Sequence, residues 1–160
     1  PNTIPNLIGI PAATHYSRQW LETRQNDFYL GPSMFHCPSA RFDEERFEEP
    51  RFTLAVNSKL VRNGKIVKLV AVQRPSTTVL MLEGGAPGEA AAHPEQSNYN
   101  GQPNIYATRF AARHGISGNL MFADGHVENK RIDAVISARG DAIVPQDNLI
   151  WTPDPLENPN

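Results

Sequence analysis

The chain has 160 residues, of which 39% are hydrophobic, and a formal net charge of −2. This length suits one domain with a modest core, and a charge this small excludes the basic surface that nucleic-acid phosphates require. The single cysteine excludes an internal disulfide and a metal cluster held by several thiolates. No segment approaches the roughly 18 consecutive apolar residues of a membrane-spanning helix.

The N-terminal third contains few patterns of regular structure. No secretory signal opens the chain, which begins with Pro1 and is expected to start at a processed boundary. Ser17 to Asp27 is predicted to form a short helix, and residues 28–50 are predicted to be irregular. Within them, Cys37 is expected to be a buried packing residue before a turn proline. The adjacent His36 would point away from it in an extended segment and could not form a catalytic dyad with it.

Four segments in the next third have the composition of β-strands, namely Phe52 to Val56, Lys59 to Arg62, Lys65 to Val72 and Thr77 to Leu82. Asn63-Gly64 separates the second and third segments and favours a two-residue hairpin. The fourth segment is a continuous apolar run, which indicates a central strand covered on both faces. A long loop is predicted over residues 84–105.

An Asp-Gly pair between two strand-like runs predicts a further hairpin. Asp124 and Gly125 would be the central residues of a type I′ turn, because both tolerate positive φ. In that register Phe122 pairs with Val127. Successive side chains alternate between faces, which places Leu120, Phe122 and Val127 on the core face and Met121, His126 and Glu128 on the opposite face.

Beyond this hairpin, Asp133 to Arg139 is predicted as a helical turn that Gly140 ends. Residues 145–160 are rich in proline and asparagine and are predicted to be an extended C-terminal arm around Trp151, beside a globular domain of residues 1–144. Together these elements predict an α+β domain. Its core would be an antiparallel meander sheet of four to five strands with long loops and little helix.

Four short motifs occur in an order that resembles a known family. His114 is followed by nine residues and then by Asp124-Gly125, which resembles the H-X9-DG segment that names a family of bacterial prepilin-type, processing-associated proteins. That family is similar to type II secretion pseudopilins and type IV pilins. The other three motifs lie upstream, at Phe35-His-Cys37-Pro38-Ser39, at the strand end Phe52 to Asn57, and at Val72 to Glu83 with its Pro75-Ser-Thr-Thr78 segment.

The resemblance implies a pilin-like globular domain, in which an N-terminal apolar helix covers one face of the sheet; this chain contains no such helix. It also implies an extracytoplasmic protein of the cell envelope, in the periplasm or at the cell surface. The implied partners are other pilin-like subunits or secreted cargo, and a membrane would be contacted only through the helix. The resemblance implies no reaction and no cofactor, so we expect that the chain is not an enzyme.

The expected structural motif consists of His114, Asp124 and Gly125. The His114 ring would donate to the Asp124 carboxylate and tie the preceding loop to the hairpin, while Gly125 supplies positive φ. Ser117, His114 and Asp124 are the residue types of a hydrolase triad, but Ser117 lacks a nucleophile elbow, so no catalytic residue is predicted. The alternative is a metal site with nitrogen and oxygen ligands, formed by His114, Asp124, His126 and Glu83.

An extracellular module that binds glycan or metal is therefore the alternative function. Aromatic side chains with polar neighbours suit the stacking of sugar rings, and the candidates are Trp20, Tyr99, Tyr106 and Trp151. We expect at least two of them to have core positions instead.

Overall fold

The computed structural model describes residues 35–41, 52–62, 65–96 and 99–157. Within these ranges the chain forms nine β-strands and five short 3-10 turns, without an α-helix. The predicted organisation, rich in sheet and poor in helix, is confirmed for them, whereas the predicted helix of Ser17 to Asp27 lies outside the described residues. None of the described helical segments is long and apolar enough to cross a membrane.

Five strands, numbered along the chain, form the main sheet: β1 Leu54–Asn57, β4 Val79–Glu83, β5 Asn104–Ile105, β6 Ser117–Phe122 and β7 Val127–Arg131. Their spatial order is β5-β1-β4-β6-β7. β1, β4, β6 and β7 are successive antiparallel neighbours, and β4 is central, as its apolar run predicts. The prediction that both of its faces are covered is wrong, because Leu80 and Met81 are only partly buried. β5 instead lies outside β1 and pairs with it in parallel, so the prediction of a purely antiparallel sheet is wrong at this edge.

A small hairpin joins β2 (Val61–Arg62) to β3 (Lys65–Ile66). Arg62 pairs with Lys65, which confirms the predicted two-residue connection between them. The predicted strand up to Val72 is too long, because Leu69–Ala71 forms a 3-10 turn. Leu69 and Val70 are exposed there, so this apolar run is not buried in a sheet.

A second small hairpin joins β8 (Ile136–Arg139) to β9 (Ala142–Pro145), so the helical turn predicted for residues 133–139 is wrong over most of its length. Only Ile132–Ala134 forms a 3-10 turn. Gly140 has a φ of 61°, which suits the first central position of a type II′ hairpin turn. The buried residues Ile136 and Ile143 join the core, which favours strands over a helix here.

The hairpin between β6 and β7 forms as predicted, but its register is shifted by one residue. Met121, not Phe122, pairs with Val127, and Phe122 N–H donates to the His126 carbonyl at 2.9 Å. The loop therefore has three residues, and only the third, Gly125, has a positive φ, of 95°. This is the pattern of a type I turn followed by a left-handed glycine, rather than the predicted type I′ turn.

The shift moves the β7 side chains to the opposite face from the one predicted. Val127 is 62% exposed and shares its face with Met121, so its assignment to the core was wrong. His126 shares the face of Phe122 instead, and its ring stacks on the Phe122 ring with centroids 4.4 Å apart. Leu120 and Phe122 are buried as predicted.

The core lies on one side of the main sheet. Its sheet side chains are Ala55, Val79, Leu82, Leu120 and Phe122, and they pack against Phe110, Val135, Ile136, Ile143 and Trp151. The other side carries the side chains of Leu54, Met81, Glu83, Asn119, Met121 and Val127, which follow from the register. We call this second side the cavity face.

The segment predicted as a C-terminal arm contributes to the core. Ile150 forms a parallel bridge with Thr78, and its carbonyl accepts from Val79 N–H at 2.9 Å. Trp151 is completely buried. The segment is packed into the globular domain, and it contains a 3-10 turn at Pro155–Glu157 instead of being extended throughout.

Candidate functional site

A cavity of about 420 Å³ lies on the cavity face of the main sheet. Most of its lining is apolar and comes from β1, β4, β6 and β7, including Leu54, Met81, Met121 and Val127. One end is polar, where Glu83 at the end of β4 and Asn119 on β6 meet two residues from outside the strands, Cys37 and His114. A concave apolar site with a few convergent polar groups is the usual form of a ligand-binding site.

A tight turn just before β6 positions His114. His114 N–H donates to the Ser117 carbonyl at 2.9 Å, and Ser117 N–H donates back at 3.3 Å. The two residues between them, Gly115 and Ile116, have φ values of 68° and 79°, which is the type I′ pattern. Ile116 is β-branched, and such a residue is strained at a positive φ. The turn that positions His114 therefore carries backbone strain.

His114, Glu83 and Cys37 converge on one point at the polar end of the cavity. The Nε2 atom of His114 lies 3.0 Å from Oε1 of Glu83 and 3.4 Å from Sγ of Cys37. The three potential ligand atoms all lie within 4.8 Å of one another. Cys37 is buried, as predicted, but it has a histidine neighbour that its sequence context did not predict, because His114 is 77 positions away.

Two further side chains hold Glu83 in place. Asn119 donates from Nδ2 to Oε1 of Glu83 at 2.9 Å. Nη1 of Arg113 lies 3.8 Å from Oε2 of Glu83, while Nη2 of Arg113 donates to Oε2 of Glu89 at 2.6 Å. Burial lowers the pKa of Arg113, but the hydrogen bond and charge of Glu89 outweigh it, so that the pKa is raised and the guanidinium stays charged.

The geometry does not form a proton relay. In a nucleophilic triad the acid and the nucleophile contact different nitrogens of the imidazole, whereas Glu83 and Cys37 both contact Nε2 of His114. The Ser117 hydroxyl donates to the His114 carbonyl at 2.7 Å. The arrangement instead brings three potential ligand atoms of different type close together, namely a sulfur, a nitrogen and an oxygen.

The predicted bond between His114 and Asp124 is not formed. Oδ1 of Asp124 instead accepts from His126 N–H at 3.1 Å and lies 2.6 Å from Nδ1 of the same residue. The loop that contains Asp124 is anchored by backbone bonds, from Asp124 N–H to the Pro75 carbonyl and from Ala123 N–H to the Thr78 carbonyl.

The predicted metal set is divided between two places. Glu83 and His114 lie at the polar end of the cavity, while Asp124 and His126 lie together at the exposed tip of the hairpin. The hydrogen bond from His126 lowers the pKa of Asp124, and the hydrogen bond to Asp124 raises the pKa of His126. Nε2 of His126 also lies 3.2 Å from Oε1 of Glu128. This second group forms an exposed ion-pair network on the hairpin.

The three described aromatic side chains among the candidates for sugar stacking, Tyr99, Tyr106 and Trp151, are not gathered on one exposed surface. Trp151 is completely buried and packs edge-on against Tyr106, with ring centroids 5.2 Å apart. The Tyr99 hydroxyl donates to the Phe110 carbonyl at 2.9 Å. Core positions are thus confirmed for Trp151 and for Tyr106, which packs against the core. Trp20 lies outside the described residues.

Sequence reasoning found Glu83 and His114 but did not join them to Cys37, Arg113 and Asn119. A usable signal was present, since an acidic residue ends the buried strand β4 and needs partners there.

Comparison with known proteins yields no match, whether with family models, with curated proteins or with solved structures.

Proposed function

We propose that this chain is a non-enzymatic assembly subunit of a pilin-like apparatus in the cell envelope, located outside the cytoplasm. The observation that carries the proposal is the asymmetry of the main sheet. One face is covered by the core cluster around Phe110 and Trp151, while the cavity face presents an apolar concavity. In pilin-like proteins a long apolar helix covers such a face, so the surface has the chemistry of a helix-docking site.

The cavity face has the properties expected of a helix-docking surface. Met81 and Met121 lie side by side on adjacent strands, and methionine side chains adapt to the shape of an apolar partner. Val127 is 62% exposed beside them. We infer that the partner is a pilin-like subunit that presents an apolar helix, because removal of these exposed apolar side chains from water favours association with an apolar surface.

The contacts among the four family-like motifs also support the proposal. Cys37 of the first motif contacts His114 of the last. Asn57, which ends the second, donates to the Val79 carbonyl within the third at 2.7 Å. Thr78 of the third accepts from the loop that contains Asp124. The residues that carry the resemblance therefore hold one sheet together, which fits a structural role.

Site-specific photocrosslinking in the producing cells tests the proposal. Benzoylphenylalanine is placed at Val127, on the cavity face, and in a matched variant at Val70, which is 91% exposed on a different part of the surface. Crosslinked peptides are identified by mass spectrometry. We expect position 127 to crosslink to an apolar helix of a pilin-like subunit, and position 70 to give no such product.

Two results would overturn the assembly role. One is the absence of any protein crosslink from position 127 in cells that produce the chain. The other is a set of crosslinked products shared equally by positions 127 and 70, because a docking surface must distinguish them.

A further inference from the structure

The donor atoms at the polar end of the cavity have the mutual distances of metal ligands. Bond lengths of about 2.3 Å for zinc–sulfur and about 2.1 Å for zinc–nitrogen and zinc–oxygen place tetrahedral ligand atoms roughly 3.6 Å (sulfur–nitrogen) and roughly 3.4 Å (nitrogen–oxygen) apart. The observed separations are 3.4 Å from Sγ of Cys37 to Nε2 of His114, and 3.0 Å from that nitrogen to Oε1 of Glu83. The three ligand atoms all lie within 4.8 Å of one another, so an ion could be bound after modest shifts of the side chains.

A second observation points independently to a cation at this place. The Glu83 side chain is only 3% exposed, and its Oε2 atom has no hydrogen-bond partner. Burial of a carboxylate oxygen without a hydrogen bond is costly. Nη1 of Arg113 forms an ion pair with this oxygen at 3.8 Å, which is beyond hydrogen-bond distance, and Nη1 also has no hydrogen-bond partner. The rest of the guanidinium donates to Glu89 and to the Gly84 carbonyl. An ion at the cluster would satisfy the charge of Glu83 directly.

The residues around the cluster are suited to hold the ligands in place. Asn119 donates to Oε1 of Glu83 and fixes the orientation of the carboxylate, as outer-shell residues do in metal sites. Cys37 is held by its N–H, which donates to the Thr53 hydroxyl. The strained turn at Ile116 fixes the backbone of His114. The three ligands thus come from three separate segments that the fold holds together.

We propose that Cys37, Glu83 and His114 bind a divalent transition metal of the zinc class, with a fourth coordination position open to the cavity. A thiolate, an imidazole and a carboxylate select such ions over calcium or magnesium, which prefer all-oxygen ligand sets. Three protein ligands leave one position for water or a bound group, and the adjoining cavity of about 420 Å³ has room for it. This metal site does not depend on whether the chain assembles with pilin-like subunits.

Titration with Co²⁺ tests the site, because Co²⁺ replaces zinc and absorbs light. The purified chain, kept reduced and freed of metal with a chelator, should bind one Co²⁺ with a thiolate-to-cobalt absorption band in the near ultraviolet. Cys37 is the single cysteine of the chain, so this band identifies its sulfur as a ligand without any variant. Zn²⁺ should displace the Co²⁺ and raise the melting temperature by linkage.

Three variants locate the site. Cys37→Ser should abolish the band and lower the Zn²⁺ affinity by more than the roughly 10–100-fold typical of an outer-shell loss. Glu83→Gln should weaken Zn²⁺ binding while keeping the shape of the side chain. His126→Phe removes the other histidine cluster and should bind as the wild type does. No thiolate band in the wild type, or Zn²⁺ binding that His126→Phe abolishes, would overturn the proposal.

Discussion

Gly125 ends the loop between β6 and β7 with a φ of 95°. A Cβ added there would meet no atom within 4 Å, so the effect of a substitution is a backbone effect alone. We expect Gly125→Val to lower the free energy of unfolding by about 1–3 kcal/mol, since a branched residue is strained at positive φ.

Gly125→Asn provides the matched comparison, because asparagine tolerates positive φ better than valine does. Urea unfolding should rank the chains as wild type, then Asn, then Val. An unchanged midpoint in the valine variant would contradict a positive φ at Gly125.

Ile116 is the non-glycine residue with positive φ in the described ranges, at 79°, and its side chain is 55% exposed. Its substitution should therefore relieve strain while losing little buried area. We expect Ile116→Asn to raise the free energy of unfolding by about 1 kcal/mol, measured by urea unfolding. A loss of stability would mean that the isoleucine side chain packs in a way that outweighs its strain.

The pair of His126 and Asp124 should make stability depend on pH. The raised pKa of His126 contributes stability that is full below its ordinary value of 6.5 and is lost as pH rises through the raised value. The lowered pKa of Asp124 contributes stability that is present above its ordinary value of 3.8 and is lost as pH falls through the lowered value. Both contributions to stability are therefore fully present between pH 3.8 and pH 6.5.

His126→Phe should keep the ring stacked on Phe122 and remove the charge. The difference in melting temperature between wild type and variant should then be larger at about pH 5.5 than at about pH 9. Asp124→Asn should flatten the same dependence. Equal differences at both pH values would show that the ion pair adds nothing to stability.

At the scale of elements, Asn57 joins three parts of the fold. It ends β1, and its side chain is fully buried. Its Nδ2 atom donates to the Val79 carbonyl at 2.7 Å and to the Trp151 carbonyl at 2.8 Å, while its Oδ1 atom accepts from Lys59 N–H at 3.0 Å. The central strand β4 and the C-terminal segment are thus fixed to β1 by one amide.

Replacement of this amide should be costly. Asn57→Ala leaves buried carbonyl groups without a donor, and we expect it to lower the free energy of unfolding by about 3 kcal/mol. Asn148→Ala, at an exposed position, should change it by less than about 0.5 kcal/mol. Similar unfolding midpoints for the two variants in urea would show that Asn57 does not join these elements.

At the scale of the whole molecule, stability depends on the closure of the core by the C-terminal segment. Trp151 is among the largest fully buried side chains and contacts Tyr106. Tyr106 is itself partly buried, which raises its pKa to about 12, because an ionised phenol is disfavoured away from water. The segment around Trp151 therefore belongs to the globular unit energetically as well as spatially.

Trp151→Ala should lower the free energy of unfolding by about 3–5 kcal/mol through loss of packing and the cavity left behind. That is a large share of the roughly 5–15 kcal/mol by which domains are stable. Leu156→Ala, at a side chain that is 94% exposed, is the control and should be nearly neutral. Thermal unfolding of both variants would decide the matter, and a neutral Trp151→Ala would contradict the role of the segment.

The sequence by itself determined the local features of this protein. The apolar run before Glu83 predicted the central strand, the Asp-Gly pair predicted a hairpin, and the requirement for positive φ at Gly125 follows from the turn. The tertiary structure decided the register of β7, the position of Trp151 and the meeting of Cys37, Glu83 and His114. The physical reason is the range of the interactions, since turn chemistry acts between neighbours along the chain. Faces, burial and clusters depend instead on strands that pair across many residues.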